Sequence, residues 1–180
     1  MQEVEVKILN VNRPKVEEEL LRLGGRKVFD GNIETFFFDF KNGSIAKAKG
    51  VLRLRQEGSQ IVLTFKRIIS TQGAKVAEEH SVEVSDIDEM KKIFQLLGLS
   101  VKESNQKQRI SYQIDNVHFD FDRYEGEYNY LPEFMEIEAE DLETIHKYAK
   151  LLGFKPEDCL PWSTSDLIKH YADKNRFEKS

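Results

Sequence analysis

Six basic and eight acidic residues sit at alternate positions in runs that otherwise read as strands. The opening EVEVK places Glu3, Glu5 and Lys7 on one side of a strand and its valines on the other, because strand side chains alternate faces. The same parity joins Arg53 to Arg55 in LRLR, sets Lys66 opposite Phe65, and joins Glu79 to Glu83 in EEHSVE. It also pairs Lys107 with Arg109, Asp120 with Asp122, and Glu136 with Glu138. Arginines offer planar forks to phosphate oxygens and lysines offer point charges, while clustered carboxylates hold Mg²⁺ or Mn²⁺ through oxygen. That inventory suits metal-assisted phosphoryl transfer, in which positioning and charge neutralisation do most of the catalysis.

Strands and helices must bring these residues together. The strands are the opening segment, ETFFFDF, VLRLRQ, IVLTFKR, a partner from Lys75 to Val84, QRISYQI, VHFDFDR and PEFMEIEA, joined mostly by turns short enough for antiparallel hairpins. Helices are expected in NRPKVEEELLRLGG, capped at Asn12, and in SDIDEMKKIFQLLG, where Ser85 and Asp88 have capping-box spacing. Two more are expected in EDLETIHKYAKLLG and in STSDLIKHYADKNRF, the latter starting at Ser163 or Thr164. A strand with alternating acids feeding a helix that ends in Leu-Gly recurs three times, twice at an offset that lays Glu83 on Glu138 and Gly98 on Gly153. With about eight strands and about four helices, the fold is read as α+β, and eight antiparallel strands form either a sandwich or a closed barrel.

Charge parity decides between them. An ordinary half-buried sheet carries scattered small polar residues on its wet face, whereas here nearly every strand carries paired formal charges. The apolar partners, such as Phe119, Phe121, Met135 and Ile137, are large and need the amphipathic helices over them. The charged faces then point at one another inside an eight-stranded antiparallel barrel with a charged lumen, which a polyanion and a divalent metal would neutralise.

Composition bounds the rest. A chain of 180 residues with 39% hydrophobic residues suits one domain, read as residues 1–180. The net charge of −5 argues against a generic nucleic-acid partner. One cysteine, Cys159, allows no internal disulfide, and neither an apolar leader nor a membrane-length run occurs, so a cytoplasmic, soluble protein is expected.

Glu3-x-Glu5-x-Lys7, LRLR, LTFKR, EEHSVEV, KQR, FDFD and MEIEAE, in that order, resemble the CYTH superfamily of triphosphate tunnel metalloenzymes over roughly residues 1–170. The resemblance implies an eight-stranded tunnel that binds a small-molecule triphosphate, not nucleic acid or membrane, in a monomer or homodimer. It implies triphosphate contacts from Lys7, Arg53, Arg55, Lys66, Lys107 and Arg109. Ligation of Mg²⁺ or Mn²⁺ is implied for Glu3, Glu5, Asp120, Asp122, Glu136 and Glu138, with Glu5, Lys7, Asp122 and Glu136 central to catalysis. Hydrolysis of the terminal phosphate is the favoured activity; conversion of ATP to cyclic AMP by a class IV adenylyl cyclase and non-catalytic polyphosphate binding are the alternatives. Where relatives carry a base before the last helix, PWSTSDLI offers Trp162 and Thr164, with Lys169 further on. The loop KNGSIAKAKG reads as solvated or as a basic lid, and RYEGEYNYLP as an exposed loop.

Overall fold

The computed structural model describes the backbone of residues 2–177 and the side chains of residues 4–172. Eight strands, β1 (Gln2–Ile8), β2 (Arg26–Phe40), β3 (Gly50–Glu57), β4 (Gln60–Ser70), β5 (Lys75–Glu83), β6 (Leu99–Ile114), β7 (Val117–Tyr124) and β8 (Phe134–Ala139), close into one barrel. Its order is β1-β5-β4-β3-β2-β6-β7-β8. Every neighbouring pair is antiparallel. The barrel expected from charge parity is therefore present, and the sandwich is excluded.

The helices are α1 (Arg13–Arg22), α2 (Ser44–Lys47), α3 (Ile87–Leu96), α4 (Leu142–Leu151) and α5 (Thr164–Phe177). The threefold recurrence in the sequence is the sequence of units β1-α1, β5-α3 and β8-α4. Side chains of Asn12, Asp86 and Asp141 accept first-turn amides of the three helices, satisfying donors that have no partner within the helix. Asp86, one residue beyond the expected Ser85, caps α3. Gly98 and Gly153, both at φ 87°, follow α3 and α4 in a left-handed conformation that favours glycine.

The outward apolar faces need covering, and the helices cover them. Val16 and Leu20 of α1 and Ile145, Tyr148 and Ala149 of α4 pack with Val6, Phe119 and Ile137 of the barrel wall. Burial of such side chains contributes roughly 1.5–3 kcal/mol each. On the opposite side Phe94 of α3 meets Phe38 edge-on, with ring centroids 4.8 Å apart.

Four segments hold more regular structure than the sequence reading expects. The strands β2 and β6 run 15 and 16 residues, well beyond ETFFFDF and QRISYQI, because they pair with each other over nearly their whole length, with register shifts at Lys27/Phe29 and Phe37/Phe38. The RYEGEYNYLP segment is exposed at its charged residues, as expected, but not throughout: Tyr124, Leu131, Phe134 and Leu167 of α5 form a third apolar cluster, with Tyr128 and Tyr130 against it. In KNGSIAKAKG, the Asp39 carboxylate accepts from the amides of Phe40, Ile45 and Ala46 and so starts α2, while Ile45 packs beside the α3 cluster. Lys41, Lys47 and Lys49 remain exposed.

Candidate active site

Alternation puts a charged inner face on the strands around the lumen. On the β6-β7-β8-β1 wall, cross-strand register sets Arg109 opposite Asp122, Asp120 opposite Glu136, and Glu136 opposite Lys7. Arg109 donates from Nε to Asp122 Oδ1 at 2.6 Å, from Nη2 to Asp122 Oδ2 at 2.5 Å, and from Nη2 to Glu136 Oε2 at 2.8 Å. Its Nη1 pairs with Asp120. Lys107 Nζ donates to Asp122 Oδ2 at 2.5 Å, and Lys7 Nζ reaches Glu136 Oε1 at 2.5 Å and Glu5 Oε1 at 3.2 Å. Lys7 and Asp122 are almost completely enclosed.

These neighbours set the protonation states. Burial alone would raise the Glu5 carboxyl, but Lys7 and Lys75 outweigh it and hold the pKa at about 2. Burial likewise opposes the charged forms of Glu136 and Lys7; the bases around Glu136 keep it well below the carboxylate range, and Glu136 and Glu5 keep Lys7 well above the lysine range. Lys107 is pushed down to about 8, by burial first and the Arg109 charge next, against the pull of Asp122. Burial raises Asp120 above its ordinary value even though Arg109 offsets part of it.

The facing wall is β3-β4-β5. Arg53 Nη2 lies 3.7 Å from Glu79 Oε1, Lys66 pairs with Glu79, and Arg55 Nη1 is 4.0 Å from Glu57 Oε2. Arg53 Nε and Arg55 Nε are buried with no hydrogen-bond partner among the described residues. A buried donor left unmade costs about 1–3 kcal/mol, and both arginines line the lumen. Burial and the charges of Arg53 and Arg109 lower Arg55 to about 10.

Two cavities meet at Arg53, Arg55 and Lys66. The one on the α5 side, about 540 Å³, is lined among the described residues by six bases (Lys7, Arg53, Arg55, Lys66, Lys75, Lys107) against three acids (Glu5, Glu103, Glu136). The other, about 360 Å³, balances Arg53, Arg55, Lys66 and Arg109 against Glu57, Glu79, Asp120 and Glu138, and adds His118. The lumen is thus polarised, with its excess of positive charge towards α5.

The structure brings Glu5, Lys7, Arg53, Arg55, Lys66, Lys107, Arg109, Asp120, Asp122, Glu136 and Glu138 to this one lumen, with Glu138 at the mouth opposite His118 and Glu5. The side chain of Glu3 lies outside the described residues; its backbone pairs with Ala77 in β1. Thr164 lines the α5-side cavity with Ser163 and Ser165, whereas Trp162 lies tilted against His170 and Lys169 lies with Trp162 in a separate outer recess. Lys75, Tyr124 and Tyr128 also line the cavity without having been singled out as site residues. Parity within KVAEEHSVE, which puts Lys75 on the face of Glu79, was the available signal for the first.

Carboxylates on adjacent strands are the hard oxygen donors that Mg²⁺ or Mn²⁺ prefers, and the low pKa of Glu5 and Glu136 keeps them anionic. The donor set therefore fits such a cation in type. Among the described residues no three acids, imidazoles or thiols converge at cation-holding spacing. The reason is visible in the ion pairs: Glu5 and Glu136 are turned onto Lys7, Lys75 and Arg109. Asp122 has both oxygens on Arg109 and Lys107.

The sequence profile of the CYTH domain matches residues 1–158. A Methanocaldococcus jannaschii protein named "Putative adenylate cyclase MJ0240" is 28% identical over 152 residues, which is 84% of each chain. The solved structure of the PH1012 protein from Pyrococcus horikoshii superposes with a TM-score of 0.74 at 26% identity, over 92% of this chain and 98% of that one. HpAC1 from Hippeastrum, described as a putative adenylyl cyclase that reveals a dominant triphosphatase activity, shares the fold with a TM-score of 0.63 at 15% identity, over 85% and 88% of the two chains.

Proposed function

Because the chain belongs to the CYTH domain family, we propose that it is a metal-dependent enzyme that binds a triphosphate in the barrel lumen and hydrolyses its terminal phosphate. One observation carries this reading. Among the described residues the α5-side cavity is lined by six bases, Arg53 and Arg55 among them, against three acids, so the lumen is short of negative charge where a linear polyanion would lie.

Each residue then has a part. Arg53, Arg55 and Arg109 hold phosphate oxygens through their forks, and Lys7, Lys66 and Lys107 add point charges. Asp122, with both oxygens spent on Arg109 and Lys107, fixes those two bases in place. Glu5, Glu136, Glu138 and Asp120 hold the cation. The bound cation supplies Lewis-acid charge to the phosphoryl oxygens. Enclosure of the lumen limits water to what the two mouths admit, which strengthens each of these charge contacts.

The name of the M. jannaschii relative favours a second reading, in which ATP is cyclised with release of pyrophosphate. Purified protein with Mg²⁺ or Mn²⁺, offered tripolyphosphate, thiamine triphosphate and ATP, separates the two. Phosphate release supports hydrolysis, cyclic AMP supports the cyclase, and no product from any of the three overturns both.

A further inference from the structure

We propose that Lys75 is a further substrate-binding residue, one that leaves Glu5 when a divalent cation takes that carboxylate and then holds the phosphate group nearest the α5-side mouth. Lys75 faces Glu5 in the β1–β5 register, and its Nζ donates to Glu5 Oε1 at 2.8 Å. That same oxygen also accepts from Lys7 at 3.2 Å. Lys7 has a second partner in Glu136, whereas Glu5 is the only carboxylate within ion-pair distance of Lys75 among the described residues.

Among the described residues no other acid is placed to take over. The next inward side chains, Ala77 on β5 and Ile68 across from it, are apolar, and Glu103 across the cavity accepts from the Tyr128 hydroxyl. Lys75 has only 17% of its side chain exposed, so an ammonium stranded there would lack both water and a counter-charge. An anion at the mouth resolves this. Lys75 lies four residues, or about 13 Å of strand, beyond Glu79, the partner of Lys66, which makes it the outermost base on that wall. Metal and substrate thereby exchange partners with the protein: the cation takes the acids and the phosphates take the bases.

This inference rests on the lumen being the triphosphate site, and calorimetry can separate the two. Tripolyphosphate binding is measured for the wild type, Lys75→Gln and Lys75→Arg, each with and without Mg²⁺, after each folded state is confirmed by its melting curve. The expected result is near-equal affinity of the wild type and Lys75→Gln without Mg²⁺, a loss of about tenfold in Lys75→Gln with Mg²⁺, and recovery in Lys75→Arg. Equal affinities of the wild type and Lys75→Gln in Mg²⁺, or equal losses with and without it, overturn the exchange. A wild type that binds no tripolyphosphate under either condition overturns instead the function on which it rests.

Discussion

Arg109 and Asp122 face each other across β6 and β7, and the guanidinium grips both carboxylate oxygens, at 2.6 and 2.5 Å. Asp122 is wholly enclosed, so neither charge can fall back on water if the other is removed. Removing one partner of a buried pair typically costs about 3–5 kcal/mol, most of it the desolvation of the survivor. Asp122→Leu is expected to lie near the lower bound, about 3 kcal/mol, because Arg109 keeps Asp120 and Glu136. Urea unfolding measures it. Combining Asp122→Leu with Arg109→Met should cost less than the two single losses summed; strict additivity would show the charges to be independent.

Glu5 and Glu136 answer to a different measurement. Glu5→Gln and Glu136→Gln each keep the shape of the side chain and remove the anionic oxygen that a hard cation needs. Both variants should stay folded and lose turnover. Near-normal activity of either at limiting Mg²⁺ would remove that residue from the cation's ligands.

The α2 segment gives a test remote from the lumen. Burial alone would raise the Asp39 carboxyl, but the amides of Ala46, Ile45 and Phe40 outweigh it and lower its pKa below 3.8. A depressed folded value means that this contribution is fully present above the ordinary aspartate pKa and is lost as pH falls through the folded one. Asp39→Ala should therefore speed amide exchange at Ile45 and Ala46 at neutral pH, relative to random-coil rates. In the wild type the same loss should appear only under acid conditions, once pH has fallen below the ordinary aspartate range. Unchanged protection in the variant would show that α2 forms without its cap.

What the sequence disclosed, and what it hid, follows from where each signal is written. Period-two charge is local, so Arg53, Arg55, Lys107, Arg109, Asp122 and Glu136 could be assigned to one inner face before any coordinates. The closed barrel then followed from needing to cover Phe119 and Ile137 on the outside. Lys75 was passed over because its meaning lies in a partner 70 positions away: nothing near it marks it as the counter-charge of Glu5. Tyr124 and Leu131 were misread for a similar reason, since acids and glycine surround them locally while the apolar surface that buries them comes from Leu167 on α5. The cap on α2 was hidden because Asp39 reads as a strand residue, and only the turn of the chain brings the amides of Ile45 and Ala46 to it.

Ligand-linked stability tests the binding shared by the hydrolase and the cyclase. Among the described residues the α5-side cavity holds more bases than acids, and Arg55 lines it, so a bound triphosphate should both add contacts and relieve repulsion. Tripolyphosphate with Mg²⁺ should raise the melting temperature according to RT ln(1 + [L]/Kd), about 2.7 kcal/mol at a hundredfold excess over Kd. Arg55→Ala removes a fork aimed into the lumen and should shrink that rise. Lys41→Ala removes an equal charge from an exposed position outside the lumen and should leave the rise unchanged. Matching reductions from both substitutions would mean that the ligand responds to net charge and not to the tunnel. A wild-type melting curve that does not move at millimolar tripolyphosphate and Mg²⁺, in folded protein, would leave a charged barrel without a triphosphate ligand.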